Sequence, residues 1–360
     1  MKPSCFTLQR IIPSVALAMV FSGPVLAEEY FEHYGLSPAS PSVDIGVQPL
    51  AYPDGVLASV LRRDGILINA LAELKQPLKT HAFKRGGDML ALLADHRLES
   101  ATLGDMPTIR AASTGDIWII GLVEQSRAAI VAQGVTSVDG LVGKRIGYVE
   151  ASTSHHTLLQ GLAAAGIGEN QIKLVSLPMN EMPDALARGD IDAFSGWEPA
   201  VSNALSSSEK HRIVFTGMSM SCFVIERDFA RRSPQAALHL VAGLLRAVEW
   251  MRRSQRNVEK AVRWAMADTE AFSGKAETLA PAAIVAITRR NLLDIASAPI
   301  IAHSPTAPAL KAEFEFLRKL GKLPANAKWE SIATAFTYNG VAQVMGESRK
   351  FQINTFDYPQ

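Results

Sequence analysis

Three hydroxyl residues and a histidine stand together where a predicted strand gives way to a predicted helix. The run Ser152-Thr153-Ser154-His155 follows a strand predicted at 145–149. The first N–H groups of a helix lack partners and carry the positive end of its dipole, so they suit a sulfonate, nitrate, phosphate or carboxylate. Ser and Thr are also ordinary helix caps. The spacing alone leaves both interpretations open.

Two other predicted strand-to-helix turns resemble each other in sequence. In each, an acidic residue enters a short strand and Gly-x-x-Pro opens a helix; the two stretches run from Leu98 to Pro107 and from Ile191 to Pro199. One lies in each half of the chain, which suggests two similarly wound lobes. Ligands of α/β sheets bind at such turns, at the carboxyl ends of strands.

The sequence lacks the patterns of the common catalytic and metal centres. His155 and His156 are adjacent, and no third ligand stands at a recognisable spacing, so we expect no metal site. There is no H-E-x-x-H, P-loop lysine motif or G-x-S-x-G. Gly86-Gly87 is too little for a dinucleotide fingerprint. We therefore expect no catalytic residue and no cofactor.

Short apolar runs alternate with helical patterns through most of the chain, which predicts a mainly parallel sheet covered on both faces. The predicted strands are 43–47, 99–103, 117–123, 145–149, 173–177, 191–194 and 213–215. After residue 225 the pattern becomes helical, beginning with Ser233 as cap and Pro234 in the first turn. We thus expect an α/β fold with a helical C-terminal portion.

Length and charge narrow the function classes further. A chain of 360 residues, 48% hydrophobic and 20% charged, has room for two domains. Its 36 basic residues against 35 acidic ones give no basic excess of the kind that binds nucleic acid. The two cysteines, Cys5 and Cys222, cannot build a disulfide scaffold.

Residues 1–27 have the layout of a secretory signal peptide, with Lys2 and Arg10 before a short apolar run and small residues before a cut at Ala27/Glu28. Cleavage would change the formal net charge from +1 to −1 and leave Cys222 without a cysteine partner. We therefore expect an exported, periplasmic protein, with residues 28–42 as a loose lead-in segment.

Several motifs, in order, resemble the substrate-binding proteins of nitrate/sulfonate/taurine-type ABC importers, including their alkanesulfonate- and thiamine-precursor-binding branches. The resemblance covers roughly residues 43–250. It consists of Ile45-Gly46-Val47-Gln48-Pro49, Gly104-Asp105-Met106-Pro107, Leu141-Val142-Gly143-Lys144-Arg145-Ile146-Gly147, Ser152-Thr153-Ser154-His155, and the stretch from Ala185 to Pro199. Ala151 departs from the family, which usually has Gly there.

The resemblance implies a type II periplasmic-binding fold, in which two α/β lobes joined by two crossings close on a small ligand. It places lobe 1 at 43–128 and 225–360, and lobe 2 at 129–224. It also implies roles for individual residues. The ligand-binding residues would be Gln48, Gly104, Asp105, Met106, Pro107, Ser152, Thr153, Ser154, His155, Trp197 and Glu198. Acidic groups facing helix-start donors would suit a zwitterion such as taurine.

The function that the resemblance implies is capture of a small anionic or zwitterionic solute for an ABC permease at the inner membrane, by a monomer and without catalysis. Two alternatives stay open at this stage. A pyrimidine-precursor synthase shares the fold, although its chemistry is intracellular, and a sensor would present the closed lobes to a receptor.

Overall fold

A computed structural model describes residues 36–37, 41–302 and 308–359. The predicted signal peptide, its cleavage site and nearly all of the predicted lead-in segment lie outside these residues. Among the helices that the structure describes, none combines the length and the apolar character needed to cross a bilayer.

In the described part of the chain, eight strands form one sheet. They are β1 (Val43–Val47), β2 (Leu78–Ala82), β3 (Ser100–Gly104), β4 (Ile117–Gln133), β5 (Arg145–Tyr148), β6 (Lys173–Ser176), β7 (Ala193–Gly196) and β8 (His211–Glu226). Their order across the sheet is β2-β1-β3-β8-β4-β7-β5-β6. The expected α/β architecture is confirmed.

The sheet consists of two parallel groups joined by two long antiparallel strands. Strand β1 pairs in parallel with β2 and β3, and β5 pairs in parallel with β6 and β7. Between these groups, β8 is antiparallel to β3, and β4 is antiparallel to both β8 and β7. The predicted lobe boundaries, at 128/129 and 224/225, fall inside β4 and β8, and the division into lobes stays a prediction.

Helices cover the sheet. They are α1 (Asp54–Leu61), α2 (Gly65–Glu73), α3 (Leu90–Ala94), α4 (Asp105–Thr114), α5 (Thr153–Ala164), α6 (Met182–Arg188), α7 (Ala200–Ser207), α8 (Arg227–Arg232), α9 (Pro234–Arg253), α10 (Gln255–Ser273), α11 (Pro281–Thr288), α12 (Lys311–Lys319), α13 (Trp329–Ala335) and α14 (Gly340–Gly346). Short 3-10 turns precede α3 and α6, and a π-helical turn, Arg289–Leu293, follows α11.

Alternation along β4 shows how both faces of the sheet are covered. Successive strand residues point to opposite faces. Ala129 and Val131 pack with α6 and α7, whereas Ile130 and Ala132 pack with Leu158 and Leu162 of α5. The apolar run of this strand is therefore buried on both sides, as the prediction of a sheet covered on both faces requires.

Strands β4 and β8 are much longer than the sequence predicts. The predicted strand at 117–123 continues to Gln133, through Glu124, Gln125, Ser126 and Arg127. Polar residues normally mark the end of a buried strand, so the prediction stopped at Val123. Here the same strand serves both parallel groups, and its polar stretch lies at the crossing between them.

The C-terminal residues, which the resemblance does not cover, pack against α2 and α9. Arg246 of α9 is fully buried, and donates to Asp64 Oδ2 at 2.8 Å and to the carbonyl of Phe351 at 2.7 Å. The N–H of Gly65 donates to the carbonyl of Asp357 at 2.8 Å. A buried ion pair bonded in this way fixes the path of the chain end, because breaking it would leave a buried charge alone.

Candidate functional site

The hydroxyl run lies where the sequence predicts it, at the start of α5 and after β5. Ser152 is the N-cap residue, and its hydroxyl donates to the carbonyl of Val149 at 2.6 Å. Ser154 donates to the carbonyl of Ser195 at 2.6 Å, and Thr153 donates to the carboxyl of Asp105. All three hydroxyl protons are therefore committed to acceptors within the protein.

The backbone N–H groups of the same turn differ from the hydroxyls. Within the described part of the chain, Thr153, Ser154 and His155 have no protein acceptor for their N–H groups, as expected for the first turn of a helix. These groups carry the positive end of the dipole of a twelve-residue helix. Any anion held here would thus be held by backbone donors, and the hydroxyls would shape the turn.

His155 adds one further donor. Its Nδ1 accepts the N–H of Ala151 at 3.3 Å, so the ring proton of the neutral form is assigned to Nε2. Nε2 is buried and has no hydrogen-bond partner among the described residues. The ring packs edge-on against Tyr148 and Phe316, with centroids 4.8 and 5.7 Å away. Burial lowers the pKa of His155, so the ring is a neutral donor.

The neighbouring histidine is part of the packing. The ring of His156 lies 4.5 Å from that of Phe316. Burial lowers the pKa of His156 to about 4, and the neighbouring ring of His155 adds to the shift whenever it is protonated. Phe316 belongs to α12, a helix that also contacts α4. The two histidines thus form an aromatic contact with the C-terminal portion, a contact that sequence reasoning missed.

The Gly104–Pro107 turn lies in the other parallel group, at the end of β3. Gly104 ends β3, and a Cβ placed on it would meet no atom within 4 Å. Met106 is fully buried, its N–H donates to Asp105 Oδ1 at 2.7 Å, and Pro107 has no N–H. The N–H of Met106 is thus used within the protein, and the ligand-binding roles of Met106 and Pro107 stay predictions. The two residues fix the turn that exposes Gly104 and orients Asp105.

Asp105 is buried and incompletely paired. Its Oδ1 accepts from Met106 and Thr153, whereas Oδ2 has no hydrogen-bond partner among the described residues. Burial raises the pKa of Asp105 to about 7, and the nearby charge of Glu313 adds to the shift. The bond to Thr153 connects the turn after β3 with the turn after β5, two strands that belong to different parallel groups.

The remaining predicted site residues have structural partners. Gln48, just after β1, donates from Nε2 to the carbonyl of Thr102 at 2.9 Å. Glu198 accepts the N–H of Ser202 at 3.0 Å and lies 3.4 Å from Arg290 Nη2. Trp197 is half-buried. The ligand-binding roles assigned to these residues from the resemblance stay predictions.

Two buried carboxyl groups near these turns were missed by the sequence analysis. Asp54 begins α1 and is 1% exposed; Glu124 lies in β4 and is 4% exposed. Glu124 Oε2 accepts from the hydroxyl of Ser221 in β8 at 3.3 Å. The sequence held one indication that Glu124 is buried, because this residue directly follows the apolar run Ile117–Val123 and continues the same strand.

Two groups of parallel strands, two long strands crossing between them, and helix N-termini at the strand ends define the fold of the periplasmic ligand-binding proteins. Residues 111–266 match the NMT1-like family. The chain is 27% identical over 266 residues to the taurine-binding periplasmic protein of Escherichia coli (strain K12). That alignment covers 68% of this chain and 78% of its relative.

Solved structures show the same fold. The alkanesulfonate-binding protein SsuA from Xanthomonas axonopodis pv. citri, bound to MOPS, superposes with a TM-score of 0.63 at 20% identity, covering 82% of this chain and 98% of that one. The periplasmic aliphatic sulphonate-binding protein SsuA from Escherichia coli gives 0.62 at 21% identity, covering 84% and 100%. The chain is a homologue of taurine- and aliphatic sulfonate-binding periplasmic proteins, which confirms the resemblance.

Proposed function

We propose that the chain is a periplasmic solute-binding protein that captures a small anionic or zwitterionic ligand of the sulfonate and taurine class. One observation carries this proposal. Among the described residues, the first N–H groups of α5 have no protein acceptor, and Nε2 of His155, a residue of the same turn, has no hydrogen-bond partner. Directed backbone donors at the positive end of a helix are what a sulfonate or carboxylate needs.

Binding takes place between two lobes, at 43–128 with 225–360 and at 129–224. The long strands β4 and β8 cross between these lobes and act as the hinge, which is the usual arrangement for closure around a ligand. The contact between Asp105 and Thr153 supports this assignment, because it joins one turn from each lobe as a closed cleft would.

The partners follow from the same assignment. The mature chain, cut after Ala27, works in the periplasm as a monomer and delivers its ligand to the permease of an ABC importer. Catalysis has no part in this function. The thiol of Cys222 does not provide a nucleophile, because it is fully buried and burial raises its pKa.

A thermal-shift panel of the mature protein, in buffers free of sulfonates, tests the proposal. Taurine, isethionate, ethanesulfonate, nitrate and acetate are compared. A ligand at 100 times its Kd adds about 2.7 kcal/mol to the free energy of unfolding, which is several degrees in Tm. We expect at least one sulfonate to produce such a shift. If no small anion or zwitterion does so, the proposal is wrong.

A pair of glycine variants locates the site. Gly104→Leu places a side chain in the open space beside Asp105, in an extended backbone conformation that Leu accepts. We expect it to abolish the ligand-induced shift. The control is Gly87→Leu, also at a glycine with open space around its Cβ but on the exposed surface near α3. Equal shifts in the two variants would place the ligand elsewhere.

A further inference from the structure

One histidine and two carboxyl groups from separate parts of the chain meet beside the first residue of β3. His96 stands in the turn between α3 and β3, Glu226 ends β8, and Asp228 belongs to α8. One nitrogen or oxygen atom of each side chain lies within 4.8 Å of the corresponding atoms of the other two. We call these three residues the His96 cluster. It combines one imidazole nitrogen with carboxylate oxygens, which is a set of donors that metal ions bind.

The His96 cluster is separate from the candidate ligand site. In the antiparallel register of β3 with β8, Gly104 pairs with Ser221 and Ser100 pairs with Ile225. The stretch from Ser100 to Gly104 spans about 13 Å of extended strand. The cluster adjoins the Ser100 end of β3, whereas the site proposed between α4 and α5 begins at the Gly104 end.

His96 has a backbone conformation that glycine normally adopts. Its φ is +57°, in the left-handed region. The repeated pattern before β3 and β7 aligns His96 with Gly189, because each stands three residues before the acidic residue that enters the strand. Gly189 has a φ of +74°. The same turn thus holds glycine before β7 and histidine before β3, where the conformation costs roughly 1 kcal/mol. A contribution from the imidazole ring has to offset this cost.

The spacing of two donor atoms in the cluster is that of neighbouring metal ligands. His96 Nδ1 lies 3.3 Å from Glu226 Oε1. A charge-assisted hydrogen bond between nitrogen and oxygen is shorter, at about 2.7–2.9 Å. Two ligands of a tetrahedral Zn²⁺ ion, each about 2.0–2.1 Å from the metal, are about 3.4 Å apart. The observed distance therefore fits a shared metal ion better than a direct hydrogen bond.

Backbone donors hold the Glu226 carboxylate in place. Its Oε1 accepts the N–H of Asp228 and its Oε2 accepts the N–H of Phe229, both at 2.6 Å. Each carboxylate oxygen has more than one lone pair, so Oε1 can accept this bond and still bind a metal ion. Hydrogen bonds of this kind orient metal ligands. The His96 side chain is 52% exposed, which leaves the cluster open to solvent.

Two arginines contact the third carboxyl group. Arg231 Nη2 lies 2.6 Å from Asp228 Oδ1, and Arg232 Nε lies 3.4 Å from Oδ2. Arg232 also pairs with the buried Glu99 at 3.1 Å. The Arg231 side chain is 78% exposed, so it can turn into solvent when another cation binds Asp228. Arg231 is thus a competitor for this carboxylate.

We propose that His96, Glu226 and Asp228 bind one Zn²⁺ ion, with water as the remaining ligand. Imidazole nitrogen suits Zn²⁺, whereas Mg²⁺ and Ca²⁺ prefer oxygen ligands alone. The sequence-based expectation of no metal site rested on His155 and His156. His96 lies far from Glu226 along the chain, and the pairing of β3 with β8 brings the two together. The proposal is independent of the proposed function.

Calorimetric titration and thermal unfolding of the untagged mature protein with zinc chloride test the site. We expect one Zn²⁺ ion to bind per chain and to raise Tm, while Mg²⁺ and Ca²⁺ at the same concentration do not. His96→Gly should lower the affinity for Zn²⁺ at least about tenfold. Without zinc this variant should be no less stable than wild type, because glycine accepts a positive φ. Asp228→Asn should also weaken binding, and the control Asp139→Asn, at an exposed carboxyl group elsewhere, should not.

The competing arginine gives a change of opposite direction. Arg231→Gln removes the ion pair with Asp228, so Zn²⁺ should bind about twofold to fivefold more tightly. The control is Arg188→Gln, which removes an exposed ion pair with Asp190 in the matching turn before β7 and should leave the affinity unchanged. A purely structural role of Asp228 predicts no gain in either variant.

Three outcomes would overturn the zinc site. The first is that Zn²⁺ does not bind the wild-type protein. The second is that Mg²⁺ or Ca²⁺ raises Tm as much as Zn²⁺ does. The third is that His96→Gly and Asp228→Asn bind Zn²⁺ as tightly as wild type, which would place the ion elsewhere. An unchanged affinity in Arg231→Gln would exclude Asp228 as a ligand.

Discussion

The turns at Gly104–Pro107 and Gly196–Pro199 look alike in sequence, yet their acidic residues have different surroundings. Glu198 accepts the N–H of Ser202 and pairs with Arg290, so both of its oxygens are engaged. Asp105 accepts a hydrogen bond from Thr153 at one oxygen, and its other oxygen is buried without a partner among the described residues. The Glu198 carboxylate stabilises the first turn of α7, whereas one oxygen of the Asp105 carboxyl group makes no hydrogen bond to a described residue.

The acidic residues that enter the two strands do behave alike. Glu99 accepts the N–H of Asp44 at 2.8 Å, and Asp192 accepts the N–H of Arg145 at 2.8 Å. Each joins the start of its strand to the parallel neighbour. The repeated pattern therefore specifies how a strand is placed in the sheet. The role of the acidic residue that follows each strand depends on a partner far away along the chain, which is Thr153 for Asp105 and Arg290 for Glu198.

The largest expected effect comes from Asp105→Asn. The folded chain keeps this proton up to about pH 7, whereas the unfolded chain loses it near the ordinary value of 3.8. Between these limits the folded state binds more protons, so stability falls as pH rises. Asn cannot ionise. We expect the variant to gain about 1–4 kcal/mol over wild type between pH 5 and pH 8, measured by ligand-free thermal unfolding.

An exposed carboxyl group provides the control for this comparison. Asp139 is exposed, so Asp139→Asn should keep the free energy of unfolding within a few tenths of a kcal/mol of wild type from pH 5 to pH 8, as for most surface substitutions. If the stabilities of Asp105→Asn and wild type run parallel from pH 5 to 8, the Asp105 carboxyl is ionised throughout and the contrast with Glu198 disappears.

Glu198→Gln should have a smaller effect of opposite sign. It weakens the capping bond to Ser202, which typically costs about 0.5–1 kcal/mol. The pair with Arg290 contributes less, because that side chain is mostly exposed and screened by solvent. Denaturant unfolding of Glu198→Gln beside Arg290→Gln separates the two interactions. Equal losses in both variants would assign the stabilisation to the ion pair.

Ala151→Gly should have the smallest effect, and it extends the comparison to the turn before α5. Ala151 has a φ of +52°, a conformation that costs an L-residue roughly 1 kcal/mol. Glycine removes that cost but loses more entropy on folding, so we expect a net gain of a few tenths of a kcal/mol. The control Ala163→Gly, on the exposed face of α5, should lose stability. A loss in both variants would contradict this account.

Local patterns predicted much of the fold and only part of the site. The strand at Val43–Val47 and the helix start at Ser152 were identified from sequence, because apolar runs and helix caps are local signals. That all three hydroxyls donate to protein acceptors was not predictable, since their acceptors include Ser195 and Asp105. Asp54 and Glu124 escaped notice because each is isolated in sequence, and only the packing of α1 against the sheet brings them near each other.

Helix α12 packs against both α4 and α5, the two helices whose first residues belong to the candidate site. It contacts α4, and its Phe316 lies against His155 and His156 of α5, while Lys322 just beyond it pairs with Glu150 at 2.8 Å. Separating α4 from α5 must therefore part this aromatic contact or carry the helix along. If the ligand binds as proposed between α4 and α5, we expect substitutions at Phe316 to change its dissociation rate.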